Sequence, residues 1–203
     1  MLKNKFYTLT HHFTTDEKLI GSLWHEIHTQ YSEPHRHYHT LKHLEYLYKE
    51  LEMVALTPVV EFGIFYHDII YDVAKQDNEE QSAIYAQKRL KALTLPEELI
   101  EDITQLILLS KSHHSTPINN AKLFLDADIS ILGASPSVYE QYTQNIRKEY
   151  HIYDDATYKD GRIKVLAHFL EKPRLYQSKH FYHRYEEQAR SNILKEYHQI
   201  FRS

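Results

Sequence analysis

A chain of 203 residues, 42% apolar and 26% charged, fits one compact globular domain and excludes the disordered, collagenous and fibrous classes. Sixteen His and no Cys exclude thiolate zinc fingers, iron–sulfur clusters, cysteine nucleophiles and disulfide frameworks, so a bound metal must take its ligands from His, Asp and Glu. The net charge of −4 divides into 12 Lys+Arg against 19 Asp+Glu in residues 1–139 and 12 against 9 in residues 140–203, which is no footprint for a nucleic-acid polymer.

The N-terminal MLKNKFYTLTHHF lacks the apolar core of a signal peptide, and no apolar run approaches membrane-spanning length. A cytoplasmic protein without a membrane partner is expected. Thr14-x-x-Glu17 reads as a capping box that opens a helix carrying Leu19, Ile20, Leu23, Trp24 and Ile27 as far as about Tyr31. Thr40 caps a second helix with the stripe Leu41, Leu44, Leu47, Tyr48 and Leu51. Thr57-Pro58 starts a nearly all-apolar, hence buried, helix that reaches His67-Asp68. Asn78-Glu79-Glu80, Pro96-Glu97-Glu98 and Ser135-Pro136 open three more, and periodic stretches follow at about 158–171 and 181–201 with Pro173 between them. The stretch Ala121–Leu132 does not alternate cleanly and reads as helix. Only 4 Gly are present, and no GxGxxG or GxxxxGK[ST] loop occurs, which disfavours phosphate-cradling loops and turn-dense β folds. One all-α domain over 1–203, of eight or nine helices, is the expectation.

Chemistry is sought where polar groups meet apolar context. A His-Asp dipeptide alone means little, since chance supplies roughly one in a chain this rich in His. His67-Asp68, however, closes the most apolar segment, where an ionised Asp is costly unless a cation or hydrogen bonds compensate it. The plain alternative is a helix end with a solvated Asp. His39 and His43 stand four apart; with Thr40 as cap, His39 falls just outside the helix and is free to act on a substrate. In LFLDADISIL, Asp126 and Asp128 point to different helix faces, one toward a site and the other toward a structural partner. Together these three segments make a two-His, two-Asp site for a divalent metal, which the residue types do not choose among Mn, Mg, Ni, Co, Fe and Zn.

The segments RHYHTLKH, FYHDIIYD, DNEEQSA, FLDADISILG, RKEY, GRIKVL and EEQARSNI resemble the HD-domain superfamily, in particular a bacterial group described as predicted metal-dependent HD phosphohydrolases, over about Trp24 to Tyr197. Tyr-His-x-x-x-His followed by His-Asp and Asp-Ile-Ser is also similar to cyclic-nucleotide phosphodiesterases. The resemblance implies a single HD-type helical bundle with a metal-site core at about 35–132 and C-terminal helices at about 136–203. It implies His43, His67, Asp68 and Asp128 as metal ligands and His39 as general acid, with Asp126 in a supporting role. Two-metal members carry two further, separated His between His-Asp and the last Asp. Here that interval holds only His113 and His114, so a second metal would rest mainly on waters and a bridging Asp68.

Of that pair, His113 is expected to face the site, the plain alternative being a loop position before Pro117. Asp72, four residues past Asp68, shares its face if the helix continues, and is expected to orient a water or a ligand. Asn78 and Glu79 read first as a helix start and second as substrate contacts. Arg36, Arg147 and Arg162 are candidate phosphate contacts. The expected activity is hydrolysis of a small phosphorylated molecule, a nucleotide among the candidates; the rivals are a di-iron oxygenase and a non-catalytic nucleotide sensor on the same scaffold. The oligomeric state is open.

Overall fold

The computed structural model describes residues 1–112, 118 and 120–202, and among them the regular structure is entirely helical. The elements are α1 (Leu2–Thr10), α2 (Glu17–Gln30), α3 (Leu41–Glu50), α4 (Pro58–Tyr66), α5 (Asn78–Ala92), α6 (Glu97–Ser110), α7 (Ala121–Asp128), a 3-10 turn (Ser130–Gly133), α8 (Pro136–Glu149), α9 (Asp155–Glu171) and α10 (Lys179–Arg202). The all-α class holds, with ten α-helices among the described residues where eight or nine were expected. No described helix is long and apolar enough to cross a membrane. The chain divides into two compact units, Met1–Leu125 and Asp126–Ser203.

The extra helix is α1. Its Leu2, Phe6 and Leu9 lie at i, i+4 and i+7 and are buried, and Thr10 turns its hydroxyl back to the Phe6 carbonyl at 2.8 Å. The start of α2 also differs from expectation. Asp16, not Thr14, is the N-cap, its carboxylate accepting from the backbone N–H groups of Lys18 and Leu19 at 3.0 and 3.1 Å, while Thr14 accepts from Asp16 N–H one step earlier. A carboxylate carries more acceptor charge than a hydroxyl toward the positive end of the helix, so it takes the orphan donors.

At the centre of the first unit, α4 buries Val59, Val60, Phe62, Gly63, Ile64, Phe65 and Tyr66. It packs against α1, α3, α5 and α6. At Gly63 an added Cβ would stand 2.8 Å from a terminal methyl of Leu106 of α6, so a larger residue here would make that side chain shift. Burying α4 on all sides is what makes its C-terminus, His67, an interior position.

In the second unit α10 supplies the spine. Phe181, Tyr185, Ala189, Asn192, Ile193 and Glu196 recur at helical spacing and are buried, facing α9 and the 3-10 turn. Asn192 donates to the carbonyls of Leu132 and Ala134 at 2.9 and 2.8 Å, satisfying the end of that turn. A Cβ at Gly133 would fall 2.7 Å from the Tyr185 carbonyl oxygen, so the backbones meet there too closely for a side chain.

Candidate metal centre

The Thr40 hydroxyl accepts from Lys42 N–H and fixes the start of α3 at Leu41, which makes His43 its third residue and leaves His39 off the helix. The Thr57 cap and Pro58 fix the start of α4, and the helix ends at Tyr66 with His67 as its C-cap. The His67 ring folds back so that Nδ1 lies 3.2 Å from the carbonyl oxygens of both Gly63 and Ile64. Carbonyls only accept, so Nδ1 carries the proton and Nε2 turns a lone pair outward.

That Nε2 stands 3.2 Å from Nε2 of His43 and 3.0 Å from Oδ2 of Asp68. The same Asp68 oxygen is 3.8 Å from His43 Nε2 and 4.0 Å from His39 Nε2, so three imidazoles converge on one carboxylate. Exposure grades across them: the His43 and His67 side chains are 1% exposed, those of Asp68 and His39 18% and 19%. The floor is closed and the rim is open. Asp128, the last residue of α7, offers a carboxylate oxygen that lies with a ring nitrogen of His43 and of His67 within a mutual 4.8 Å. These three can hold a metal ion, and two imidazole lone pairs with one carboxylate suit a divalent transition ion. The Phe124 ring stands edge-on to His67 at 5.4 Å, adding an apolar wall.

Asp126, two residues before Asp128, accepts from the N–H groups of Gln177 and Ser178, both at 2.7 Å. The two carboxylates therefore divide as the helix geometry requires, one toward the His cluster and one toward backbone donors.

Asp72 is where the expectation fails. The helix stops at Tyr66, so Asp72 shares no helix face with Asp68; it sits exposed in a turn, accepting from Ala74 N–H at 2.9 Å. Asn78 braces that turn, donating to the Asp72 carbonyl at 2.9 Å and accepting from its N–H at 3.0 Å, so the start of α5 uses the Asn side chain outward rather than as a cap. Glu79 lies 3.6 Å from Lys111, whose ammonium also grips Glu80 at 2.7 Å and ties α5 to the end of α6. That ammonium lowers the Glu80 carboxyl below its ordinary range.

Arg36 has a side chain with no exposure, and its guanidinium is held by Glu33 and by the carbonyls of His39, Asp68 and Ile69. Arg162 and Arg147 belong to the second unit. Arg162 makes a buried two-point bond to Glu196 at 2.8 and 3.1 Å, and Arg147 donates to the Tyr150 and Tyr153 carbonyls and to Asp155. His113 lies outside the described residues. Two residues to which the sequence assigns no site role stand beside His39: Tyr71, whose ring lies 4.3 Å from that of His39 at 31°, and Tyr38, edge-on to His39 at 4.9 Å. Only the position of Tyr71 in the same short segment as His67-Asp68 could have pointed to it. Tyr66 is no acid or base here, since burial, and then the charges around Tyr85 and Glu26, push its hydroxyl far above its ordinary range.

The chain matches no family model, no curated protein and no solved structure. The chemistry of the site therefore rests on its own geometry.

Proposed function

We propose that the protein is a metal-dependent phosphohydrolase acting on a small phosphorylated molecule of the cytoplasm, with nucleotides among the candidate substrates. The observation that carries this reading is the convergence of His43, His67 and Asp128 at a closed floor, with Asp68 and His39 at an open rim. The segments that resemble HD phosphohydrolases support it.

In this reading His43, His67 and Asp128 would hold the ion, and Asp68, expected from the sequence as a fourth ligand, stands beside His67 but outside that three-residue cluster. A divalent ion held there would polarise a phosphoryl oxygen and lower the pKa of a bound water toward about 7. The fixed Nδ1 proton of His67 keeps its lone pair aimed into the site and prevents ring flipping. His39, outside the helix and partly exposed, gives a proton from Nε2 to the leaving oxygen, a task to which an imidazole is suited. The walls of Phe124 and the α4 core keep the floor dry, which strengthens every charge interaction on it.

The test is phosphate release from a panel of phosphorylated metabolites with Mn, Mg, Ni, Co, Fe and Zn, run beside metal analysis. Metal-dependent turnover is expected, falling at least about 100-fold in His67→Ala and Asp68→Ala, beyond the usual effect of outer-sphere changes. Full metal content and turnover in both variants would overturn the assignment. Oxygen consumption with iron bound and no phosphate release would make the protein an oxygenase instead, and tight nucleotide binding without turnover under every metal would make it a sensor.

A further inference from the structure

We propose that Arg36 is a positioning residue that sets the proton donor His39 against Asp68, a role resting on the phosphohydrolase reading above. Its guanidinium joins two segments 32 residues apart in sequence. Nη1 donates to the Asp68 carbonyl at 2.6 Å and to the His39 carbonyl at 3.3 Å, Nη2 donates to the Ile69 carbonyl at 2.9 Å, and Nε donates to Glu33 at 3.0 Å. The backbones of the donor residue and of the carboxylate residue thus hang on one planar group.

Aromatic rings complete the clamp. The guanidinium lies 5.0 Å from the Tyr31 ring and 5.4 Å from the Tyr71 ring, and the Tyr71 ring also lies against the His39 imidazole. The Tyr71 carbonyl is in turn 3.1 Å from Nε2 of His35. His39 is therefore held at its backbone by Arg36 and at its ring by Tyr71. Four acceptors in a fan require a fork of donors. A lysine ammonium, a single point on a flexible stem, cannot reach them together.

The discriminating experiment compares two phosphate esters with Co2+ as the metal. Phenyl phosphate has a leaving group that departs poorly without a proton, whereas 4-nitrophenyl phosphate barely needs one. Arg36→Lys should lower kcat on phenyl phosphate about 10–100-fold, the range typical of residues that orient a site from outside it. KM and bound Co2+ should stay unchanged, and the loss on 4-nitrophenyl phosphate should be several-fold smaller. Added guanidinium should restore part of the phenyl phosphate rate in Arg36→Ala. Tyr71→Leu, which removes the ring between guanidinium and imidazole, serves if the Arg36 variants do not fold, and should show the same bias between esters. Equal losses on the two esters, or none, in folded variants of a Co2+-dependent enzyme overturn the positioning role and leave the phosphohydrolase reading standing. A wild-type protein that binds none of the six metals and releases phosphate from neither ester nor any of the panel substrates overturns both.

Discussion

Both units bury charge, and they do it in opposite ways. In the second unit buried carboxylates meet donors: Glu196 takes two nitrogens of Arg162 and the Tyr139 hydroxyl, and Glu186 takes the N–H groups of Leu175 and Tyr176 together with Arg190. In the first unit the His67 lone pair is turned by its own helix toward another imidazole and toward a carboxylate, an assembly of ligand atoms. Helix α7 holds the same contrast within two residues, with Asp126 closed by two N–H donors and Asp128 beside the two imidazoles. Burial of a polar group is thus no sign of function. What distinguishes the site is a convergence of groups able to ligate a metal, an arrangement that a cation or shared protons can stabilise.

The comparison can be broken at several points. The largest effect is expected at His39→Asn, which should cut turnover about 10²–10⁴-fold, the span typical of a lost general acid, with metal content unchanged. Loss of metal from this variant would make His39 a ligand instead. Glu196→Ala leaves Arg162 buried and unpaired, and should cost about 3–5 kcal/mol in denaturant titration while the folded protein keeps its metal. Asp126→Ala and Asp128→Ala should separate cleanly. The first strips two charge-assisted bonds, one of them buried, and costs about 2–4 kcal/mol without weakening metal binding. The second should weaken metal binding at least about tenfold with little change in the stability of the metal-free protein.

The smallest effect concerns Glu61 on α4, where burial raises the carboxyl pKa above 4.5 against the lowering charges of Lys5 and His12. A carboxyl raised on folding binds its proton more tightly in the native state, so its contribution is present below pH 4.5 and is lost as pH climbs through the raised value. Glu61→Gln should accordingly raise the melting temperature by about 1–3 °C at pH 7 and by less at pH 4.

Much of this architecture is legible in the sequence because its signals are local. Thr40 and Thr57-Pro58 cap the helices they announce, and the apolar run from Val59 to Tyr66 identifies the buried helix that carries His67 inward. The place of Asp72 is not legible because nothing in IIYD marks the end of a helix: α4 stops at Tyr66, and beyond that stop Arg36 holds the Asp68 and Ile69 carbonyls, which a continuing helix would give to residues 72 and 73. The cap Asp16 is hard to read from sequence because a hydroxyl, Thr14, and a carboxylate stand two residues apart, and the choice between them is one of relative acceptor strength. Arg36 itself looked like a phosphate contact, since an arginine among histidines has the same composition whether it faces a ligand or three carbonyls. The pairing of His39 with Tyr71 crosses more than thirty residues and leaves no periodic trace.

The most direct test of the central claim is a crystal of the protein grown with Co2+, measured at the cobalt absorption edge. An anomalous peak bonded to Nε2 of His43, Nε2 of His67 and a carboxylate oxygen of Asp128, at about 2.0–2.2 Å from each, is the predicted result. No peak, or one ligated by other residues with His43 and His67 still facing each other, would contradict it.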